Sequence, residues 1–112
     1  ADCQLRWNLI WEELTELGEA MGYDDGGFPE AEKWERCDFH KANVADAIGD
    51  LLYVVLGTAV ACGIDIEPVF QEIHRSNMSK FIDGHKRADG KWIKGPSYSP
   101  ANLAPIIEEQ SR

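Results

Sequence analysis

One apolar stretch decides the fold: residues 39–62 read FHKANVADAIGDLLYVVLGTAVAC and are followed by Gly63. Apolar side chains recur there at steps of three and four, which predicts one long helix with a broad apolar face. That face is formed by Val44, Ile48, Leu51, Leu52, Val55 and Leu56. Because so broad a face has to be covered, we expect this helix to be the most buried element of an all-α bundle that two chains complete.

Two further helices are predicted on either side of this stretch. Apolar residues at helical spacing indicate a first helix from about residue 2 to about residue 21, which Gly22 ends. The loop that follows has room for a helical turn around residues 30–36. Asp65 is typical of an N-cap and predicts a third helix over residues 65–81.

The C-terminal part is expected to combine turns with a short helix. Residues 83–97 are rich in Gly and Lys, which favours turns and a small hairpin. The pair Ser99-Pro100 resembles an N-cap followed by a first-position proline. We therefore expect a last short helix from there to about residue 110.

Length and composition restrict the class of protein. A chain of 112 residues is expected to be one domain, residues 1–112. No apolar run approaches the roughly 20 residues of a membrane span, and a signal-peptide pattern is missing, so we expect no membrane partner. Three cysteines without a CxxC pair favour reduced thiols and a cytoplasmic location. The chain opens at Ala1 rather than Met, so we expect that an N-terminal piece is missing or was processed.

Charge is distributed unevenly along the chain. The net charge of −9 argues against nucleic acid as a partner. Residues 1–72 hold 16 acidic and 4 basic side chains, whereas residues 73–94 hold 6 basic and 2 acidic ones. One interpretation is a solvated acidic surface with a basic loop. The other is a metal-binding half and a phosphate-binding half of one site.

The first helix carries a cluster of acids, Glu12-Glu13-Leu14-Thr15-Glu16. At ~100° per residue the three carboxylates share one side of the helix, where they repel one another. A divalent cation would compensate, and Mg²⁺ or Mn²⁺ prefers carboxylate oxygens. The pattern therefore favours a metal site.

The second helix supplies acids that complement this cluster. Asp46 and Asp50 lie four residues apart and border the apolar run, where carboxylates are costly unless they pair or bind metal. Ions held between two acidic helices can neutralise a triphosphate and lower the pKa of a bound water. A further carboxylate can accept the proton of that water.

Together these motifs resemble the MazG-like all-α nucleoside triphosphate pyrophosphohydrolases, in their small stand-alone branch. The resemblance joins EExxE at residues 12–16, DLLY at 50–53, HRSNMSK at 74–80 and DGK at 89–91. It implies magnesium-dependent cleavage of a (d)NTP between the α and β phosphates, to a (d)NMP and pyrophosphate. It also implies homodimers or tetramers built from dimers, and house-cleaning of the nucleotide pool, with dUTP or dCTP as the favoured substrates.

The same resemblance implies roles for the acidic residues. The implied metal ligands are Glu13, Glu16 and Asp50, with Glu12 as the residue that orients or deprotonates the attacking water. The usual second motif is ExxD, whereas Ala47 stands three residues before Asp50. We expect Asp46 to take the place of the missing ligand, and the number of ions stays open.

One asparagine and three lysines of the C-terminal part are expected to contact the substrate. Asn77 and Lys80 look like substrate contacts by the resemblance, and Lys91 and Lys94 lie in a basic loop that can close over phosphates.

Two alternatives remain. The first is phosphoribosyl-ATP pyrophosphohydrolase of the same superfamily, against which the HRSNMSK and DGK segments argue. The second is a non-enzymatic acidic helical oligomer that binds partners and shows no magnesium-dependent turnover.

Overall fold

The computed structural model describes residues 1–23, 27 and 41–112. These residues cluster in two compact units, Ala1–Gly63 and Ile64–Arg112. The described elements are, in order, α1 (Cys3–Ala20), α2 (Lys41–Ala61), α3 (Ile66–Ser79), β1 (His85–Lys86), β2 (Trp92–Ile93) and α4 (Ala104–Gln110). The all-α class is thereby confirmed, while the single-domain organisation stays a prediction. The helical turn expected around residues 30–36 lies outside the described residues.

Helix α1 begins and ends within one residue of its predicted bounds. Asp2 is the N-cap, and its side chain accepts a hydrogen bond from the amide of Leu5 at 3.0 Å. Beyond the last turn, Gly22 has a φ of +97°, a left-handed conformation that residues with a Cβ rarely adopt. Both signals are local, which is why the sequence predicts them.

Helix α2 packs along α1 in the opposite direction. Arg6 near the start of α1 contacts Val54, whereas Glu13 two turns later approaches Asp50. Residue numbers therefore rise along α1 as they fall along α2. The helix stops before Gly63, whose φ of +70° ends it as predicted. The predicted start at residue 39 lies outside the described residues.

In the single chain α2 is not the most buried element, because it has one buried residue and α3 has three, while the expectation for a two-chain bundle stays a prediction. Ala47, at 6% exposure, is the buried residue of α2, while Leu52 is 54%, Val60 78% and Tyr53 82% exposed. The apolar face of α2 extends around most of its circumference, and α1 covers one side of it. The remaining side is exposed within the described residues.

Helix α2 also has the length and composition of a membrane-spanning helix. It has 21 residues, and its most apolar 18-residue window has a mean hydropathy of 1.7, with 11% of that window buried. In the sequence, the longest apolar stretch runs from Leu51 to Cys62, follows Asp46 and Asp50, and is interrupted by Gly57 and Thr58. One helix of this kind is weak evidence for a membrane span, since core helices of soluble proteins have the same composition. Two carboxylates at membrane depth would be costly, which favours a protein contact for this face.

In the second unit, α3 begins where the sequence predicts and ends two residues early. The side chain of Asp65 caps the helix by accepting a hydrogen bond from the amide of Glu67 at 3.2 Å. Val69 is the buried apolar residue of α3, at 7% exposure. At the other end the Ser79 hydroxyl donates to the Ser76 carbonyl at 2.6 Å.

The predicted small hairpin is present. Strands β1 and β2 pair antiparallel, and Gly90 in the connection has a φ of +92°. The indole N–H of Trp92 donates to the carbonyl of Lys80 at 2.6 Å, which joins the hairpin to the end of α3. This carbonyl leaves the helical hydrogen-bond pattern, so α3 ends here rather than at residue 81.

The last helix does not begin at Ser99-Pro100, so this prediction was wrong. Helix α4 begins at Ala104 instead. The amide of Ser99 donates to the hydroxyl of Ser79 at 2.9 Å, and the amide of Asn102 donates to the carboxylate of Glu72 at 2.9 Å. These bonds to α3 hold residues 99–102 outside the helix.

Candidate metal centre

Three carboxylates meet where α1 and α2 pack together. Glu13 and Glu16 lie three residues apart on α1 and therefore share one face of that helix. Asp50 reaches them from α2, and one carboxylate oxygen of each residue lies within 4.8 Å of the others. The structure thus brings together three of the four residues predicted as metal ligands. Their function as ligands stays a prediction.

Glu13 is the most shielded member of this cluster. Its Oε2 atom is buried and has no hydrogen-bond partner among the described residues. Desolvation raises the pKa of Glu13, and the charge and hydrogen bond of Glu16 raise it further, followed by the charges of Asp50 and Glu12. A buried anionic oxygen without a donor is unfavourable. A cation beside it would supply the missing contact and reduce the repulsion between the carboxylates.

The donor set fits a hard divalent cation. Mg²⁺ and Mn²⁺ are bound in proteins mainly through oxygen ligands, often one or two carboxylates with the remaining positions held by water and phosphate. The cluster of Glu13, Glu16 and Asp50 offers carboxylate oxygens only. Glu16 and Asp50 are exposed, so a phosphate group can approach the cluster from solvent.

The other two acids predicted for this site lie at its edge. Glu12 is exposed, and its charge contributes to the raised pKa of Glu13. Asp46 is exposed one turn before Asp50 and is not part of the cluster. The position three residues before Asp50 is the buried Ala47. The catalytic role of Glu12 and the ligand role of Asp46 therefore stay predictions.

Three of the four predicted substrate-binding residues line one cleft in the second unit. This cleft has a volume of about 360 Å³ and is lined by Lys80, Lys91, Trp92, Ile93, Lys94 and Tyr98. The Nζ atom of Lys94 lies 4.2 Å from the ring centroid of Tyr98, and that of Lys80 lies 5.8 Å from it. Both are within cation–π range. The fourth residue, Asn77, is exposed on the last turn of α3, outside the lining.

Two features of these regions were not predicted from the sequence. Trp92 and Tyr98 lie beside the lysines of the cleft, and aromatic residues that alternate with lysines in a Gly-rich loop are the signal that could have indicated this. The second feature is Arg6, the single basic residue of α1, which donates a hydrogen bond to the carbonyl of Val54. The sequence signal for Arg6 is that it is a lone basic residue seven residues before Glu13, which places both on the same side of α1.

The fold and the cluster define a class of small all-α proteins in which two antiparallel helices carry an acidic site. Residues 1–77 match the family model of phosphoribosyl-ATP pyrophosphohydrolase, and the chain belongs to this family. The family is part of the MazG-like all-α NTP pyrophosphohydrolase superfamily, so the resemblance noted in the sequence is confirmed. No curated protein is significantly similar to the chain.

Membership supports a pyrophosphohydrolase activity, which is hydrolysis of an acid anhydride. The matched residues contain α1, α2 and most of α3, whereas the lysine-lined cleft begins at Lys80, beyond the match. This family is the first of the two alternatives that the sequence left open. The match identifies the family without identifying the substrate.

Proposed function

We propose that the chain is a Mg²⁺-dependent nucleoside triphosphate pyrophosphohydrolase that cleaves a (d)NTP between the α and β phosphates. The products are a (d)NMP and pyrophosphate. The observation that carries this proposal is the cluster of Glu13, Glu16 and Asp50, whose carboxylate oxygens lie within 4.8 Å of one another. The buried Glu13 Oε2 without a hydrogen-bond partner supports a cation at this position.

Each acidic residue has a role in this proposal. Glu13, Glu16 and Asp50 would hold Mg²⁺, for which Mn²⁺ can substitute, and Asp46 would take the place of the ligand that is missing at Ala47. A metal held there would neutralise charge on the phosphates and would lower the pKa of a bound water. Glu12, exposed beside the cluster, would orient the attacking water and accept its proton.

The basic residues of the second unit bind the phosphates of the substrate. Lys80, Lys91 and Lys94 offer three ammonium groups in one cleft, with Tyr98 beneath two of them. Asn77 adds an amide at the end of α3. Ammonium groups are effective phosphate binders because each carries a full charge and three donors. House-cleaning of surplus or noncanonical deoxynucleotides is the proposed role, with dUTP and dCTP as the first substrates to test.

Phosphoribosyl-ATP is the second candidate substrate, and the family match favours it. Its hydrolysis to pyrophosphate would use the same acidic cluster. Phosphoribosyl-ATP carries a phosphoribosyl group on its base that an ordinary NTP lacks. The two substrates therefore need different contacts from residues that do not bind the triphosphate. Residues 78–112, outside the match, are where such a difference is expected.

The exposed apolar face of α2 supports a homodimer, or a tetramer of two dimers. Tyr53 and Val60 are more than three-quarters exposed in the single chain. A second copy that packs on this face would complete a helical bundle. The location that we propose is the cytoplasm, and neither nucleic acid nor a membrane is a proposed partner.

Pyrophosphate release from a panel of NTPs, dNTPs and phosphoribosyl-ATP, with and without Mg²⁺, tests the function. We expect turnover that depends on Mg²⁺ and is lost in Glu13→Gln and Asp50→Asn. Glu19→Gln is the matched control, because Glu19 is an exposed acid of α1 outside the cluster. No turnover of any substrate would leave the acidic oligomer that binds partners as the better description. Full activity of both cluster variants would refute the site.

A further inference from the structure

One side chain joins α1 to α2 by hydrogen bonds. The Nη2 atom of Arg6 donates to the carbonyl of Val54 at 2.8 Å, and Nε donates to the hydroxyl of Thr58 at 3.1 Å. The same hydroxyl donates back to the carbonyl of Val54 at 2.8 Å, which closes a small network. Within residues 1–23, 27 and 41–112, the two bonds donated by Arg6 are the only hydrogen bonds between α1 and α2.

Gly57 makes room for this guanidinium group. A Cβ atom at position 57 would lie 2.8 Å from Nη2 of Arg6, closer than real Cβ atoms approach other atoms. A side chain there would require the flexible end of Arg6 to shift. Glycine weakens a helix interior, and at position 57 it leaves the space that the guanidinium group occupies.

The Arg6 contact and the carboxylate cluster lie along the same line of contact between the helices. Arg6 and Glu13 are seven residues apart, which is about two turns and within ~20° of the same direction. On α2, Val54 and Asp50 are four residues apart, about one turn. A shift of α1 along α2 would therefore move both contacts together.

The cluster needs such a contact because its members repel one another. Three carboxylates within 4.8 Å act to separate the two helices that carry them until a cation is bound. Arg6 has no carboxylate partner within hydrogen-bond or ion-pair distance in the described part of the chain. Its donors are bound instead to backbone and hydroxyl oxygens of α2.

We infer that Arg6, seated over Gly57, is a positioning residue that holds α1 and α2 in the register at which Asp50 meets Glu13 and Glu16. This inference rests on the proposed metal site. Arg6 does not touch the cluster and acts on it through the packing of the two helices. Preorganised supporting contacts of this kind set the affinity of a metal site.

The charge of Arg6 and its positioning role predict opposite results, which makes the inference testable. If Arg6 acted only through its charge, Arg6→Ala would tighten cation binding, because a positive charge near the site is removed. If Arg6 sets the register, the same variant would weaken binding. Arg6→Lys separates the charge effect from the positioning role further, because lysine keeps the positive charge but lacks the planar guanidinium fork that reaches both acceptors.

Mn²⁺ binding, measured by isothermal titration calorimetry on the metal-free protein, provides the readout. We expect the Kd to rise about 3-fold in Arg6→Ala, less than the roughly 10-fold or more for partners that hydrogen-bond a metal ligand directly, because Arg6 does not touch the ligands. Gly57→Ala should raise the Kd by less, because Arg6 is retained and only its flexible end has to shift. Arg112→Ala, which removes an exposed arginine of the second unit, should bind Mn²⁺ like the wild type. Circular dichroism checks that each variant is folded.

The double variant Arg6→Ala/Gly57→Ala completes the test. If both residues act through one contact, the double variant should bind no more weakly than Arg6→Ala. Additive effects, or an unchanged or lower Kd in both single variants, would overturn the positioning role.

Glu13→Gln separates this inference from the proposed function. If Glu13→Gln binds Mn²⁺ as well as the wild type does, the proposed metal site itself has failed. If Glu13→Gln weakens Mn²⁺ binding while Arg6→Ala and Gly57→Ala leave it unchanged, the metal site stands and only the role of Arg6 is wrong.

Discussion

The acidic cluster between α1 and α2 and the lysine-lined cleft of the second unit differ in how they are built. The cluster lies on two long helices, its members repel one another, and it falls inside the family match. The cleft is formed by a short hairpin and a loop, two of its lysines, Lys80 and Lys94, lie over the ring of Tyr98, and it falls outside the match. The match therefore supports a pyrophosphohydrolase reaction but does not identify the substrate.

The largest expected effect is on the cluster. Asp50→Asn should lower Mg²⁺-dependent pyrophosphate release about 100- to 1000-fold, because a lost ligand removes several kcal/mol of transition-state stabilisation. Initial rates at saturating substrate over a range of Mg²⁺ concentrations measure this. The exposed Glu108→Gln in α4 is the control for a lost carboxylate. A loss below 3-fold would make the cluster an ordinary acidic surface.

The metal-free cluster should also destabilise the fold, with a defined pH dependence. Desolvation and the charge of Glu16 raise the pKa of Glu13 above its ordinary value of 4.5. For a carboxyl with a raised pKa, stability is greatest below pH 4.5 and is lost as pH rises through the folded-state pKa. Thermal unfolding in EDTA should therefore show a higher Tm for Glu13→Gln than for the wild type at pH 7, and a smaller difference at pH 4. A lower Tm at pH 7 would contradict the repulsion.

The apolar face of α2 contrasts with both polar regions. Val60 is 78% exposed, so Val60→Glu would bury a charge in any dimer formed through this face. We expect sedimentation velocity to show a change from dimer to monomer. Gln71→Glu adds the same charge to α3 and should leave the dimer intact. A dimer that persists in Val60→Glu places the interface elsewhere.

A smaller effect is expected in the cleft. Lys94→Gln should raise the KM for the triphosphate about 10-fold with little change in kcat, because one charged contact to phosphate is worth roughly 1.4 kcal/mol. The effect should shrink with added salt. Lys86→Gln is the control, since Lys86 lies on β1 outside the lining. Equal KM values for the two variants would remove the cleft from the site.

The smallest effect concerns the segment that leads from the cleft to α4. The hydrogen bond from Arg75, with that from the Asn102 amide, lowers the pKa of Glu72 to about 2. A lowered pKa contributes stability above about pH 4.5 that is lost as pH falls toward 2. Glu72→Gln should therefore lower the Tm slightly at pH 7 and have no effect near pH 2. A loss of Tm that is the same at both pH values would point to packing instead of the ion pair.

Local signals account for the parts of the fold that the sequence predicted. Asp2 and Asp65 cap their helices through amides three and two residues away, so both starts are visible in a short window. The start of α4 was missed because the amide of Ser99 finds its partner at Ser79, twenty residues back. Such a bond depends on how the chain returns to α3, which a local pattern does not contain.

The sequence by itself determined which helices form and that Glu13 and Glu16 share a face, because helical periodicity and capping act over a few residues. The resemblance already implied Asp50 as a ligand, but only the tertiary structure shows that Asp50 lies beside Glu13 and Glu16 and that Asp46 is outside the cluster. Both acids lie on α2 one turn apart, so the choice depends on the register of α1 against α2. That register is a matter of packing between distant residues, with Arg6 seated over Gly57 as its visible hydrogen-bonded contact.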